Sequence, residues 1–159
     1  FCTRLFLPFL LRSSRPCYLV NTGSTASYFT PNDFYGVTKH AVLAFSEAIQ
    51  QELNNYYPAH KQRVHICTLC PSFTKTNLHP LSVETAKQMN MDMQQDVMLK
   101  TREFGYKYAQ MNVDEVIEAL FAGLQSKKFI INVDEAVMMA AVNDRMKSIK
   151  TGKANEWRE

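Results

Sequence analysis

The apolar residues of this chain recur in two rhythms. "CYLVNT" (17–22) and "RVHICTLC" (63–70) are short, β-rich, nearly continuous apolar runs bounded by turn residues, and they read as buried strands of a parallel sheet. Between them, apolar residues fall at Ala41, Val42, Phe45, Ala48, Ile49 and Leu53, with Glu47, Gln50, Gln51 and Asn54 on the other side. That spacing predicts a helix from about Phe34 to Tyr56. Asn32 or Asp33 is placed to cap it and Pro58 to end it. Ahead of the first strand, "FCTRLFLPFLLRSS" predicts an apolar helix packed on the sheet. Later, "NVDE" has the form of a capping box, Asn112 as cap and Glu115 three residues on, opening a helix that runs to about Gln125. "KFIINV" (128–133) predicts a third strand, and residues 134–149 a last amphipathic helix before a frayed end. Residues 72–111 are less regular and rich in Met, Gln and Asn, with one amphipathic helix expected within 82–100.

Strands that are apolar throughout, alternating with helices, argue for an α/β layer with a parallel sheet. Three strands make a thin sheet, however. They read as one end of a larger doubly wound sheet, whose open strand edge would otherwise invite pairing.

Composition narrows the class without changing the fold. Apolar content of 46% and charged content of 21% are ordinary for a globular domain of 159 residues. The net charge of +3 is spread thinly, with Lys127-Lys128 the one basic doublet, so no nucleic-acid partner is expected. No apolar run reaches the roughly 18–20 residues of a membrane span. The cysteines are Cys2, Cys17, Cys67 and Cys70. "CTLC" has the CxxC spacing of metal and redox sites, but in a strand residues three apart point to opposite faces. No second CxxC or histidine pair completes a tetrahedral site. Buried free thiols are the expectation, which suits a reducing compartment and a cytoplasmic location. A secretory signal in Leu5–Leu11 is the competing reading of the start; Pro8 interrupts it, Arg4 and Arg12 flank it, and no small-residue cleavage site follows. The absence of an initiating methionine suggests that the chain starts within a domain.

One stretch, "NTGSTASYFTPNDFYGVTKHAV" (21–42), carries chemistry. Residues four apart on a helix share a face, so Tyr35 and Lys39 would be neighbours. A phenol in water titrates near pH 10, and an ammonium group close by favours the phenolate. Such a pair is suited to exchanging a proton with an alcohol oxygen. Ser24 would stand at the C-terminal end of a parallel strand, where open α/β sheets bind ligands, with its hydroxyl aimed at the same oxygen. A tyrosine and a lysine in this spacing also occur by chance as a surface pair. Here the context is ordered: Ser24 follows one strand, the pair opens the next helix, and "CPSFTKT" follows the next strand.

These residues carry a resemblance. "YLVNTGSTA", "YGVTKHAV" and "VHICTLCPSFTKT" resemble, in order, the serine-bearing strand and turn, the YxxxK helix, and the strand and PGxxxT loop of short-chain dehydrogenases/reductases. The likeness covers most of residues 1–80. It implies a Rossmann-like doubly wound parallel sheet of which this chain is the C-terminal portion, about three strands with flanking helices. On this reading the chain is a single partial catalytic domain. Residues 1–80 form the core segment, 81–127 the substrate-loop and lid helices, and 128–159 the last strand, helix and tail.

The resemblance implies an NAD(P)-dependent oxidoreductase that interconverts an alcohol and a carbonyl. Ser24 would orient the substrate oxygen, Tyr35 would be general acid or base, and Lys39 would assist it and bind the nicotinamide ribose. Pro71, Ser72 and Thr76, with Tyr35 and Lys39, would contact NAD or NADP. A small-molecule alcohol or ketone would be the partner, and a homo-oligomer is implied for the full-length enzyme.

Several features depart from the family pattern. The Ser24-to-Tyr35 spacing is two residues short, Ser27 is a further participant to consider, and Ser72 stands where the family commonly has glycine. The glycines, at 23, 36, 105, 123 and 152, form no GxGxxG. The chain is therefore expected to be a fragment lacking the dinucleotide-binding half, inactive alone. A non-catalytic binding or scaffold protein derived from the same fold is the alternative. Outside the constellation, His40 is expected off the site, because adjacent helix positions diverge. His65 reads as a packed strand histidine, His79 as a solvated loop residue, and Tyr28 as a turn aromatic. Met89, Met91, Met93 and Met98 read first as ordinary helix packing, with an adaptable apolar lid over substrate as the alternative.

Overall fold

The computed structural model describes residues 2–29, 34–57, 63–77, 84, 85, 88 and 111–153. Helix α1 (Cys2–Arg12) leads into strand β1 (Cys17–Thr22), and a 3₁₀ turn (Thr25–Ser27) follows. Next come helix α2 (Phe34–Tyr56) and strand β2 (Val64–Cys70). Helix α3 (Val113–Gln125), strand β3 (Ile130–Asn132) and helix α4 (Glu135–Thr151) complete the described elements. The strands form one parallel sheet in the order β1-β2-β3. Cys17 is in register with Val64, Thr22 with Leu69, and Thr68 with Ile130.

The pleat of β2 assigns helices to the two faces of the sheet. Val64 and Ile66 point to one face, where they meet Ile49 and Leu53 of α2 and Leu7, Leu10 and Leu11 of α1. Cys67 and Leu69 point to the other, against Val116, Ala119, Leu120 and Leu124 of α3. Residues 64 and 66–70 are all buried, as befits a central strand covered on both sides. Gly123 brings α3 close. A Cβ there would fall 2.5 Å from Ile131 Cγ1, so only glycine lets this helix lie so near β3.

The structure differs from expectation in one strand's burial and in two boundaries. β1 is half-buried rather than buried, because among the described strands it pairs on one side only. β3 has three residues instead of six. Lys127 adopts φ 53° and the Lys128 amide still bonds the Gly123 carbonyl of α3, so pairing with β2 begins only at the Phe129 carbonyl, which accepts the Thr68 amide at 2.7 Å. α4 continues past residue 149 to Thr151, where Gly152 at φ 66° supplies the left-handed cap. At its other end Asp134 accepts the Val137 amide at 3.0 Å. The Asn112 amide donates to Glu115 Oε2 at 2.7 Å, the backbone half of the expected capping box. The helix expected within 82–100 lies outside the described residues, save for Glu84, Thr85 and Gln88, which are helical. Among the described residues no helix is long and apolar enough to cross a membrane.

Candidate active site

At the C-terminal edge of the sheet, β1 passes directly into a tight turn. The Gly23 amide donates to the Leu69 carbonyl at 2.8 Å, extending the ladder past the end of β1. A Cβ on Gly23 would meet Cys70 Sγ at 3.0 Å and Ser27 Oγ at 3.1 Å, so the turn lies hard against β2. Ser24 is extended and caps the 3₁₀ turn, its Oγ accepting the Ala26 amide at 3.1 Å. A hydroxyl has one proton to give besides its lone pairs, so this cap leaves the Ser24 proton available for a ligand oxygen. The Thr25 amide donates to the Pro71 carbonyl at 3.0 Å, joining the turn after β1 to the loop after β2.

Tyr35 and Lys39 stand a turn apart at the start of α2. Lys39 Nζ donates to the Thr22 carbonyl at 3.0 Å and lies 5.6 Å from the centroid of the Tyr35 ring. That distance is within cation–π range. The ammonium is therefore fixed between the end of β1 and the tyrosine, while Tyr35 itself is about half exposed. Asn21 Nδ2 donates to Ser46 Oγ at 2.9 Å, pinning α2 to the same strand two turns further on.

Ser27 and Tyr28 face inward. Ser27 is buried; its Oγ accepts the Ser24 amide at 3.3 Å and donates to the Lys39 carbonyl at 2.9 Å. Tyr28 is 8% exposed, and its hydroxyl donates to Asn132 Oδ1 at 3.0 Å and reaches Cys70 Sγ at 3.3 Å. Burial first, and then the bond to Cys70, push the Tyr28 phenol far above its ordinary range. Burial likewise pushes the Cys70 thiol up, against smaller opposing effects of Tyr28, the Ser24 backbone and Lys39. Tyr28 is thus a neutral buried strut rather than a proton-transfer group. Cys67 and Cys70 are free thiols in the core.

In the loop after β2, Ser72 Oγ is buried with no hydrogen-bond partner. A buried hydroxyl without a partner is costly, and its place beside Pro71 fits a polar ligand group arriving at this edge. The loop is held from outside by Met111, whose amide donates to the Phe73 carbonyl and whose carbonyl accepts the Lys75 amide, both at 2.9 Å. Thr76 is exposed, beyond this clamp.

Ser27 therefore links Ser24 to Lys39, Thr25 joins the same turn to Pro71, and the Tyr35 ring lies beside the Lys39 ammonium. His40 is turned away: its Nδ1 bonds the Gly36 carbonyl at 2.9 Å and its Nε2 bonds Arg145. A carbonyl only accepts, so Nδ1 carries the proton and Nε2 accepts from the guanidinium. His65 packs against Tyr18, ring centroids 5.3 Å apart. A groove between α2 and α4, lined by His40, Leu43, Glu47, Val142 and Arg145 among others, contains none of Ser24, Tyr35 and Lys39. Asn32, Asp33, His79 and the four lid methionines lie outside the described residues. Sequence reasoning missed Asn132. Its signal was a lone amide in the apolar run "FIINV", on the face of β3 opposite buried Ile131.

No family model and no curated protein matches the sequence. The structure is similar to that of a short chain dehydrogenase/reductase from Burkholderia phymatum in complex with NAD. The TM-score is 0.80 at 20% identity, covering 99% of this chain and 56% of that one. It is also similar to a short-chain dehydrogenase from Sphingobium yanoikuyae in complex with NADPH, with a TM-score of 0.56 at 20% identity, covering 96% of this chain and 51% of that one. The chain has the fold of short-chain dehydrogenase/reductase structures and spans about half their length.

Proposed function

We propose that this chain is the catalytic half of a short-chain dehydrogenase/reductase, an NAD(P)-dependent oxidoreductase that interconverts an alcohol and a carbonyl. The observation that carries this reading is the placement of Lys39. Its ammonium lies beside the Tyr35 ring and is bonded to the carbonyl of Thr22, two residues before Ser24, at the C-terminal edge of the sheet.

In this reading Tyr35 exchanges a proton with the substrate oxygen. Lys39 supplies the fixed positive charge that favours the phenolate side of that exchange. The Ser24 hydroxyl gives the same oxygen a hydrogen bond. The Lys39 ammonium, the Pro71–Ser72 backbone and the unpartnered Ser72 hydroxyl suit the nicotinamide-ribose end of NAD or NADP, with Thr76 at the rim. The cofactor, when bound, supplies or accepts the hydride. The chain carries no glycine-rich cradle for the pyrophosphate, so cofactor affinity is assigned to the complete protein carrying this chain.

The test is alcohol-dependent reduction of NAD or NADP by the complete protein, wild type against Tyr35→Phe. A general acid–base group contributes about 10²–10⁴-fold. Tyr35→Phe is expected to lose turnover on that scale while cofactor still binds. Near-normal turnover in the variant removes Tyr35 from the role given to it.

A further inference from the structure

The hydroxyl of Ser27 touches the backbone of two proposed site residues at once. It accepts the Ser24 amide at 3.3 Å and donates to the Lys39 carbonyl at 2.9 Å. Ser24 and Lys39 lie on different elements, a strand-end turn and a helix. Among the described residues, the bonds of Lys39 Nζ to the Thr22 carbonyl and of Asn21 to Ser46 join α2 to β1, the strand before that turn. Neither reaches Ser24. Ser27 is 2% exposed, so no water competes for its hydroxyl. A serine oxygen swings about a single carbon–carbon torsion, which makes the bridge short and stiff. The one proton of this hydroxyl is committed to the Lys39 carbonyl, so it has none to give a substrate oxygen.

We propose that Ser27 is a positioning residue that sets the placement of Ser24 relative to Lys39, and hence of the substrate oxygen between them. The proposal rests on the oxidoreductase reading above. A net hydrogen bond is worth about 0.5–1.5 kcal/mol, and misplacing a catalytic group is expressed in turnover rather than in binding.

The experiment is Ser27→Ala in the complete protein, a smaller side chain that the turn accommodates. Steady-state kinetics with alcohol and NAD or NADP are measured beside hydrogen exchange of the 23–28 segment and of β2. The expected result is a fall in kcat of about tenfold with KM held, and faster exchange confined to the Ser24 amide. Wild-type kcat overturns the proposal, as does unchanged protection of Ser24. Loss of protection throughout β2 also overturns it, since that would make Ser27 a support of the core alone. If the wild-type protein turns over no alcohol with either cofactor, the oxidoreductase reading fails by itself. Exchange at Ser24 then still decides whether Ser27 holds that turn.

Discussion

Replacing Tyr28 with phenylalanine removes a single oxygen from the place where all three strand ends meet. That oxygen bonds Asn132 at the end of β3 and touches Cys70 at the end of β2, while Tyr28 itself follows the turn after β1. The ring still fills its site, so no cavity forms and the packing contribution is unchanged. What is lost is one net hydrogen bond, about 0.5–1.5 kcal/mol, plus part of the cost of leaving Asn132 Oδ1 without its donor. Asn132 is only half-buried, so water recovers some of that cost, whereas Cys70 is fully buried and a weak partner in any case. The expected loss is about 1–2 kcal/mol of unfolding free energy. Urea denaturation of Tyr28→Phe, Asn132→Ala and the double variant forms a cycle, and the two changes should couple by about 1 kcal/mol. Strict additivity would refute the inference that this phenol ties β3 to the turn. So would a Tyr28→Phe protein as stable as the wild type.

Three further outcomes follow from burial and packing. Burial holds the Cys67 and Cys70 thiols above their ordinary 9.0, and the Tyr28 phenol above its ordinary 10.0. The native state then keeps protons that the unfolded chain releases. Stability is full below pH 9 and falls as pH rises past it, by up to about 1.4 kcal/mol per pH unit for each group; a urea midpoint unchanged between pH 9 and 11 would contradict this. In thiol labelling at neutral pH, exposed Cys2 should react in the native protein while Cys67 and Cys70 wait for denaturant; rapid native labelling of Cys70 would show that the strand end is open. Gly123→Ala forces a Cβ to 2.5 Å from Ile131. Overpacking of about 1–3 kcal/mol outweighs the helix-propensity gain of up to about 1 kcal/mol, so a net loss is expected, and a more stable variant would mean that α3 does not lie so close to β3.

Elements that repeat a strong local pattern were legible in the sequence. Helix α2 begins and ends where its apolar spacing predicts, because Ile49 and Leu53 recur on one face for several turns. β2 was legible for the same reason: its run of apolar residues is buried on both sides. Less was legible where tertiary context decides. The apolar run of β1 reads as buried, yet among the described strands it has a neighbour on one side only and is covered in part. "KFIINV" looks strand-like throughout, but the left-handed turn at Lys127 leaves Lys128 bonded back to Gly123, and Phe129 reaches β2 through its carbonyl. In the candidate site, the spacing of Tyr35 and Lys39 predicts neighbours on a helix, and the structure has them so. The partners of Ser27 and Tyr28 were not legible. Each bridges residues far apart in the chain, and no local period announces a bond from Tyr28 to Asn132.

The anchor of Lys39 is a main-chain oxygen, and every amino acid offers the same one. Position 22 can therefore change its side chain without loosening the lysine, while a shift of β1 by a single residue would withdraw the oxygen altogether. In kindred chains, the length and alignment of that strand should be guarded far more closely than the identity of the residue that ends it.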